Sequence, residues 1–115
     1  VDLLNMQGYH LGGYIVPGFP MIYQSLNRGT SNIRLEPVSV ADCLPGKTTD
    51  EAVSHGAYLM IKTLIEASRT TLQTKTQPVK VIVTGGDGSA LIDVLSGDCI
   101  YVRDLVLDGL EVMFP

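Results

Sequence analysis

The glycine-rich segment at residues 84–88, T-G-G-D-G, is the first place where this chain could approach a nucleotide. A β-branched apolar stretch precedes it and a short helical pattern follows, so Gly85 and Gly86 fall in a strand-to-helix turn. Turns of this kind can bring backbone N–H groups close to a phosphate. The segment matches neither G-x-G-x-x-G nor G-x-x-x-x-G-K-[ST], and a tight turn that simply requires glycine explains it equally well.

A second candidate is the sequence G-K-T-T-D-E-A at residues 46–52. Its G-K-T triplet is found in phosphate-binding loops, but the required glycine spacing and the leading apolar strand are absent, which excludes that motif. The order Thr-Thr-Asp-Glu predicts instead a helix that begins at Thr48 or Thr49 with a capping box closed by Glu51. The two hydroxyl groups serve either as helix caps or as contacts to a polar ligand.

A third candidate, G-G-Y-I-V-P-G at residues 12–18, places glycines inside an apolar stretch. Glycine weakens a strand unless a ligand or another backbone comes close, so binding and purely structural roles are equally consistent with it.

The remaining polar residues suggest neither a catalytic nor a metal site. His10 and His55 have no nucleophile and acid near them in sequence, and the aspartates are widely spaced. Cys43 and Cys99 lack the spacing of a zinc site or a disulfide framework. We therefore expect surface or packing roles for both histidines, two reduced thiols, no catalytic residue and no metal ligand.

The elements that must position these segments alternate between strands and helices. Residues 1–5 and 10–16 predict a hairpin, and residues 19–26 predict a helix ended by Gly29. The helix from Thr48 to about Arg69 carries an apolar stripe, in which Gly56 is expected to pack closely against another backbone. That stripe consists of Ala52, Gly56, Met60, Leu64 and Ala67, widened by Val53, Ala57 and Ile61.

The last third of the chain continues the alternation. A polar loop is predicted at residues 70–77, followed by strand, helix, strand and helix at residues 79–84, 89–95, 99–102 and 105–113. Strands that alternate with helices indicate an α/β sheet.

Length and charge limit the possible functions. A chain of 115 residues with 45% hydrophobic residues suits one compact domain. The net charge is −4 and the eight basic residues are scattered singly, which argues against direct nucleic-acid binding. No apolar run approaches the roughly 20 residues that span a bilayer. We expect a soluble, cytoplasmic protein without a membrane partner and, because it begins with Val1 in mid-strand, a fragment.

Taken in order, five motifs resemble those of type III pantothenate kinases, which are also called Bvg accessory factor homologues. They are G-Y-H-L-G-G-Y-I-V-P-G at residues 8–18, S-L followed by T at residues 25–30, G-K-T-T-D-E-A with a later G at residues 46–56, V-T-G-G-D at residues 83–87, and L-V-L-D-G-L at residues 105–110. The match runs nearly end to end.

The resemblance implies that residues 1–115 form a single C-terminal, ribonuclease-H-like half of an acetate-and-sugar-kinase/actin-like ATPase fold in a two-domain parent. It implies ATP-dependent phosphorylation of pantothenate, the first step toward coenzyme A. It further implies a homodimer that uses a divalent cation such as Mg²⁺ and a monovalent cation such as K⁺. By the matching motifs, Thr49 corresponds to a pantothenate contact, and Gly85 and Gly86 to a glycine pair on the nucleotide side.

Three motifs of the family, D-x-G-N-[ST], G-x-D-R and D-x-G-T, have no counterpart in this chain. The resemblance therefore places the general base and the cation ligands outside it, and the first central strand of the half-fold is missing. Without that strand two strands expose unpaired edges, so we expect the chain to be inactive alone and stable only beside its own N-terminal half or a partner's. After Thr30, the residues Ser31, Ile33 and Arg34 replace Ala, Leu and Pro of the family's T-A-x-L-P. Loss of the proline is expected to reshape the loop beside the substrate pocket, and with it the specificity for pantothenate.

Two other functions remain open at this point. One is a transcription-linked accessory factor, for which the acidic charge argues against direct contact with DNA. The other is a non-catalytic domain of the same fold that senses a ligand or mediates oligomerisation. The upstream motifs D-x-G-N-[ST] and G-x-D-R would distinguish the kinase from the sensing domain.

Overall fold

The computed structural model describes residues 1–29, 34–40, 42–73 and 77–115. Within these ranges the order of elements is β1 (Asp2–Leu4), β2 (His10–Gly13), α1 (Phe19–Gly29), α2 (Thr49–Leu72), β3 (Val81–Val83), α3 (Gly88–Ile92), β4 (Cys99–Tyr101) and α4 (Leu105–Met113). The predicted alternation and the α/β class are confirmed. The predictions at Thr30, Ser31 and Ile33, and part of the polar loop, lie outside the described residues.

The described strands form two separate two-stranded sheets. β1 and β2 pair antiparallel as the predicted hairpin, although β2 is shorter than expected and a register shift lies between Leu3 and Leu4. β3 and β4 pair parallel, with Ile82 opposite Ile100, and α3 crosses between them. No hydrogen-bonded pairing joins the two sheets within the described ranges, so each keeps open strand edges.

The long helix α2 begins where its capping box predicts. Thr48 is the N-cap, and its hydroxyl accepts a hydrogen bond from the backbone N–H of Glu51 over 3.2 Å. The Glu51 carboxylate in turn accepts from the backbone N–H groups of Lys47 and Thr48, at 2.7 and 3.3 Å. The box satisfies donors that a helix start otherwise leaves unpaired. The helix ends at Leu72, three residues later than predicted.

The apolar stripe predicted for α2 coincides with its buried face only in part. The buried residues of the helix are Ser54, Ala57, Ile65 and Ser68. Of these only Ala57 belonged to the stripe, whereas its members Ala52, Met60 and Ala67 are exposed. The prediction counted apolar side chains, and the helix instead buries two serines whose hydroxyls are hydrogen-bonded. Gly56 was also expected to meet another backbone, but no atom lies within 4 Å of a Cβ placed there.

One apolar core joins most of the elements. It consists of Phe19, Val40, Ala57, Ile65, Val83, Leu91 and Val94. Phe19 at the start of α1 also stacks on Tyr58 of α2, with ring centroids 4.3 Å apart. The core therefore fixes the start of α1 against the middle of α2 and leaves the first turn of α2 at the surface.

Ser54 holds together three segments around this core. It is fully buried, and its hydroxyl accepts hydrogen bonds from the Tyr23 hydroxyl at 2.7 Å and from the Val38 N–H at 3.1 Å. α1, α2 and residues 34–40 therefore meet at one oxygen atom. A buried donor that loses its acceptor keeps its desolvation penalty, which makes this position sensitive to substitution.

We expect Ser54→Ala to lower the free energy of unfolding by about 2 kcal/mol, because two partly buried donors lose their acceptor. The measurement is the urea midpoint at an unchanged m-value. Ser25→Ala is the matched control, since the exposed Ser25 hydroxyl only donates to the Ile22 carbonyl of its own helix; its effect should stay below about 0.5 kcal/mol. Equal effects of the two substitutions would contradict the role given to Ser54.

Candidate functional site

An open cleft of about 610 Å³ lies between α1 and the start of α2. One end of it is polar and includes Lys47, Thr48 and Thr49. The walls are apolar and are lined by Ile22, Leu26, Ala52, Val53, Gly56, Ala57 and Met60, with Gly46 at the base of the polar end. A cleft with mostly apolar walls and a few polar groups at one end is typical of a site for a small molecule.

The two neighbouring threonines at the polar end have different roles. The Thr48 hydroxyl is used in the capping box. The exposed Thr49 hydroxyl makes no hydrogen bond to any described residue, although Thr49 lines the cleft. The sequence left open which threonine caps the helix, and the structure assigns the cap to Thr48. Thr49 therefore keeps its hydroxyl available to a ligand.

Gly46 brings the preceding loop directly onto the start of α2. A Cβ placed on Gly46 would collide with the Ala52 nitrogen and the Glu51 carbonyl carbon, and would lie 2.6 Å from the Glu51 Cβ. Only glycine allows this close approach. The packing sets the position of Lys47 and Thr48, and through them the polar end of the cleft.

The loop that follows α1 is tied to the same helix start. The backbone N–H of Glu36 donates to the Asp50 carboxylate at 3.1 Å, and the Leu35 N–H donates to the Asn27 side chain at 2.9 Å. Both contacts connect residues 34–40 to the two helices that border the cleft. Arg34, one of the residues that depart from the family motif, pairs with Glu36 on the surface at 3.1 Å.

The second candidate segment, the glycine turn after β3, lies apart from the cleft. Gly85 has a φ of +94°, a conformation that residues with a side chain rarely adopt, and its carbonyl accepts hydrogen bonds from the Tyr101 hydroxyl at 2.8 Å and the Gly88 N–H at 3.2 Å. Nothing lies within 4 Å of a Cβ placed on Gly86. The turn is thus fixed on its inner side by Tyr101 and open on its outer side.

The glycine turn and the cleft do not form one pocket. Neither Gly85 nor Gly86 lines the cleft.

Burial raises the pKa of the Tyr58 phenol, and the negative field of Tyr23, Asp87 and Asp93 raises it further. Tyr58 therefore stays neutral at physiological pH and is no candidate for a general base.

Both histidines and Cys99 have polar partners within the described chain. His10 lies 3.0 Å from the Asp2 carboxylate across the hairpin, and His55 contacts the Leu44 carbonyl. Cys99 accepts a hydrogen bond from Arg69 at 2.9 Å, and both cysteines are free thiols of intermediate burial. Among residues 1–29, 34–40, 42–73 and 77–115, no group of three or more His, Cys, Asp or Glu side chains is arranged to hold a metal ion. None of the helices in those ranges is both long and apolar enough to cross a membrane.

Thr49 was predicted from the sequence and lines the cleft, whereas the apolar walls of the cleft were not predicted. Ile22 and Leu26 were interpreted only as part of the helical pattern at residues 19–26, and Met60 as part of the apolar stripe of α2. One signal was present in the sequence: the apolar stripe of α2, widened by Val53, Ala57 and Ile61, covers more of the helix than contact with a single neighbouring element requires. Surplus apolar positions of this kind indicate a groove or an interface.

Comparisons with known proteins agree on one family. The family model for type III pantothenate kinase matches residues 1–70. A type III pantothenate kinase from Alcanivorax borkumensis is 38% identical over 112 residues, which cover 96% of this chain and 45% of that protein. One from Chromohalobacter salexigens is 35% identical over 118 residues, covering 100% and 42%.

A solved structure is also similar. It is that of a Campylobacter jejuni protein described as a Baf family transcriptional activator, with a TM-score of 0.75 and 26% identity, and the match covers 97% of this chain and 50% of that one. The chain thus spans about half the length of the proteins it matches, or less. The matched stretch lies in the C-terminal part of the curated relatives.

Proposed function

Because the chain belongs to the type III pantothenate kinase family, we propose that it forms the pantothenate-binding, C-terminal part of an ATP-dependent kinase that phosphorylates pantothenate in coenzyme A biosynthesis. The observation that carries the proposal is the position of Thr49. It lies on the cleft at the motif position that corresponds to a pantothenate contact, and its hydroxyl is not needed for the helix cap.

The cleft suits the chemistry of this substrate. Pantothenate combines a branched hydrocarbon segment with hydroxyl, amide and carboxylate groups. The walls formed by Ile22, Leu26 and Val53 can take the hydrocarbon, while the Thr49 hydroxyl and the Lys47 ammonium at the other end can meet polar groups. Lys47 makes no ion pair with the described residues, so its charge is available to an anionic ligand.

We assign the glycine turn to the nucleotide side of the same enzyme. The open outer side of Gly85 and Gly86 leaves room for a nucleotide to approach the backbone. The described residues offer no cluster for Mg²⁺, and the family motifs that carry the general base and the cation ligands are absent from this chain. The proposal therefore gives this chain a role in positioning the substrate and leaves proton transfer and the Mg²⁺ and K⁺ contacts to residues outside it.

The architecture that we propose is the ribonuclease-H-like half of an acetate-and-sugar-kinase/actin-like ATPase fold, with residues 1–115 as a single domain. The two separate two-stranded sheets support it, because a strand supplied from outside could pair with their open edges. The donor of that strand would be the N-terminal half of the same protein, and the functional unit would be a homodimer.

A transcriptional role through direct contact with DNA receives less support. The word activator belongs to the description of the Campylobacter jejuni protein. In the present chain the eight basic residues are scattered singly along the sequence. This chain has a net charge of −4, and non-specific DNA binding depends on clustered Lys and Arg.

The function is tested on a completed protein, in which this chain follows the part of the Alcanivorax borkumensis relative that precedes the matched stretch. With pantothenate, ATP, Mg²⁺ and K⁺, we expect ADP release that depends on pantothenate and a phosphorylated product, and we expect neither from residues 1–115 alone. Pantothenate-independent ADP release, or an inactive completed protein beside an active intact relative, would contradict the proposed function.

A further inference from the structure

The last helix, α4, is apolar, but none of its side chains is buried by the described part of the chain. None of its nine residues is buried, and Leu105, Val106, Leu107, Leu110, Val112 and Met113 are all exposed, as is Phe114 just after it. A helix that is apolar over most of its surface belongs in the interior of a larger structure. An apolar surface of this size on one short helix indicates a missing partner.

The distribution of these residues limits what can cover them. At about 100° per residue, the apolar side chains of α4 occupy more than half of the helix circumference. Asp108 and Glu111 share the narrow remaining strip. A flat surface can cover only one side of such a helix. Covering the apolar side chains of α4 requires a groove that surrounds them and leaves Asp108 and Glu111 in water.

The chain's own sheets do not provide this groove. α4 follows β4 after three residues, but β4 pairs only with β3 among the described strands, and the α4 side chains are not part of the core. If a second copy packed its own α4 against this helix, each helix would cover only one side of the other. The remaining apolar side chains of both helices would stay in water.

We propose that α4 inserts into an apolar groove on the half of the kinase that this chain does not span, and so fastens the two halves of the enzyme together. This role of α4 rests on the proposed function and on the length of the relatives, since the match covers 45% of the Alcanivorax borkumensis protein and 42% of the Chromohalobacter salexigens one. More than half of each relative is thus available to supply the groove.

The test uses residues 1–115 as one polypeptide and the preceding part of the Alcanivorax borkumensis relative as a second, expressed together and separated by size-exclusion chromatography with light scattering. We expect a complex that contains both polypeptides. Met113→Asp and, separately, Val106→Asp should reduce recovery of that complex at least tenfold. Circular dichroism of the free variants should stay unchanged, because α4 is exposed in the chain alone.

Met6→Asp is the matched control, since Met6 in the hairpin turn is 72% exposed and Met113 is 71% exposed. It should leave recovery of the complex within twofold of the unsubstituted chain. Three outcomes would overturn the proposal: no complex of the two polypeptides, equal losses from Met6→Asp and Met113→Asp, or a homodimer of residues 1–115 that Met113→Asp dissociates. A complex that forms through α4 but does not phosphorylate pantothenate would contradict the proposed function alone.

Discussion

Gly46→Ala is expected to lower the free energy of unfolding by about 3 kcal/mol, because the new methyl group has no room. It would overlap with backbone atoms of Glu51 and Ala52 at the start of α2, and a backbone cannot swing aside as the end of a long side chain can. The loop at residues 42–46 would have to move away from the helix. That movement would also displace Lys47 and weaken the capping box, in which the Lys47 N–H donates to Glu51.

Gly56→Ala is the matched control, one methyl group added to a second glycine on the same cleft. No atom lies within 4 Å of the new Cβ, and alanine inside a helix is more stable than glycine by up to about 1 kcal/mol. Thermal unfolding of the completed protein should therefore shift in opposite directions for the two variants. If Gly46→Ala left the midpoint unchanged, the loop would not be packed on the helix as described.

The start of α2 could be predicted because its determinants are local. Thr48, Asp50 and Glu51 lie within one turn, and the capping box depends on their spacing alone. The sequence left open whether the helix begins at Thr48 or Thr49, but a capping box needs its hydroxyl residue three positions before the Glu. That spacing fits Thr48 and Glu51, and the structure has Thr48 as the N-cap.

The buried face of α2 could be predicted only in part, because it depends on which side of the helix packs against the rest of the chain. Ser54 and Ser68 are buried because each finds hydrogen-bonding partners, which no pattern of apolar residues reveals. Met60 is exposed because it lines a cleft. A pattern of apolar side chains identifies the surfaces that avoid water, but it does not distinguish the core of this chain from a site for a ligand.

The strands, too, could be predicted only in part. The hairpin and the parallel pair β3 and β4 follow from β-branched runs and the turns between them. The shortening of β2 to residues 10–13 was not predicted, since Tyr14, Ile15 and Val16 continue the apolar run and only Tyr14 is held, by its N–H to the Val1 carbonyl at 2.8 Å. A strand extends only as far as its partner pairs with it, and β1 has only three residues.

Thr49→Ala is expected to raise the KM for pantothenate about tenfold in the completed protein, with little change in kcat. Losing one hydrogen bond from a hydroxyl to a polar or charged ligand group costs about 1 to 2 kcal/mol, and each 1.4 kcal/mol corresponds to a factor of ten in affinity. The hydroxyl contacts the substrate equally in the ground and transition states under this proposal, so the loss falls on KM. Steady-state kinetics with pantothenate as the varied substrate measure it, and Thr49→Ser, which keeps the hydroxyl, should restore most of the affinity.

Thr48→Ala provides the matched control, because it removes the same atoms from the adjacent residue. Its hydroxyl caps α2, so its loss should cost about 1 kcal/mol of stability and lower the melting temperature while the KM changes less than threefold. Thr49→Ala should show the reverse, a raised KM at an unchanged melting temperature, since its hydroxyl bonds to none of the described residues. If Thr48→Ala raised the KM as much as Thr49→Ala, the helix start as a whole would be required for binding and the specific role of the Thr49 hydroxyl would be refuted.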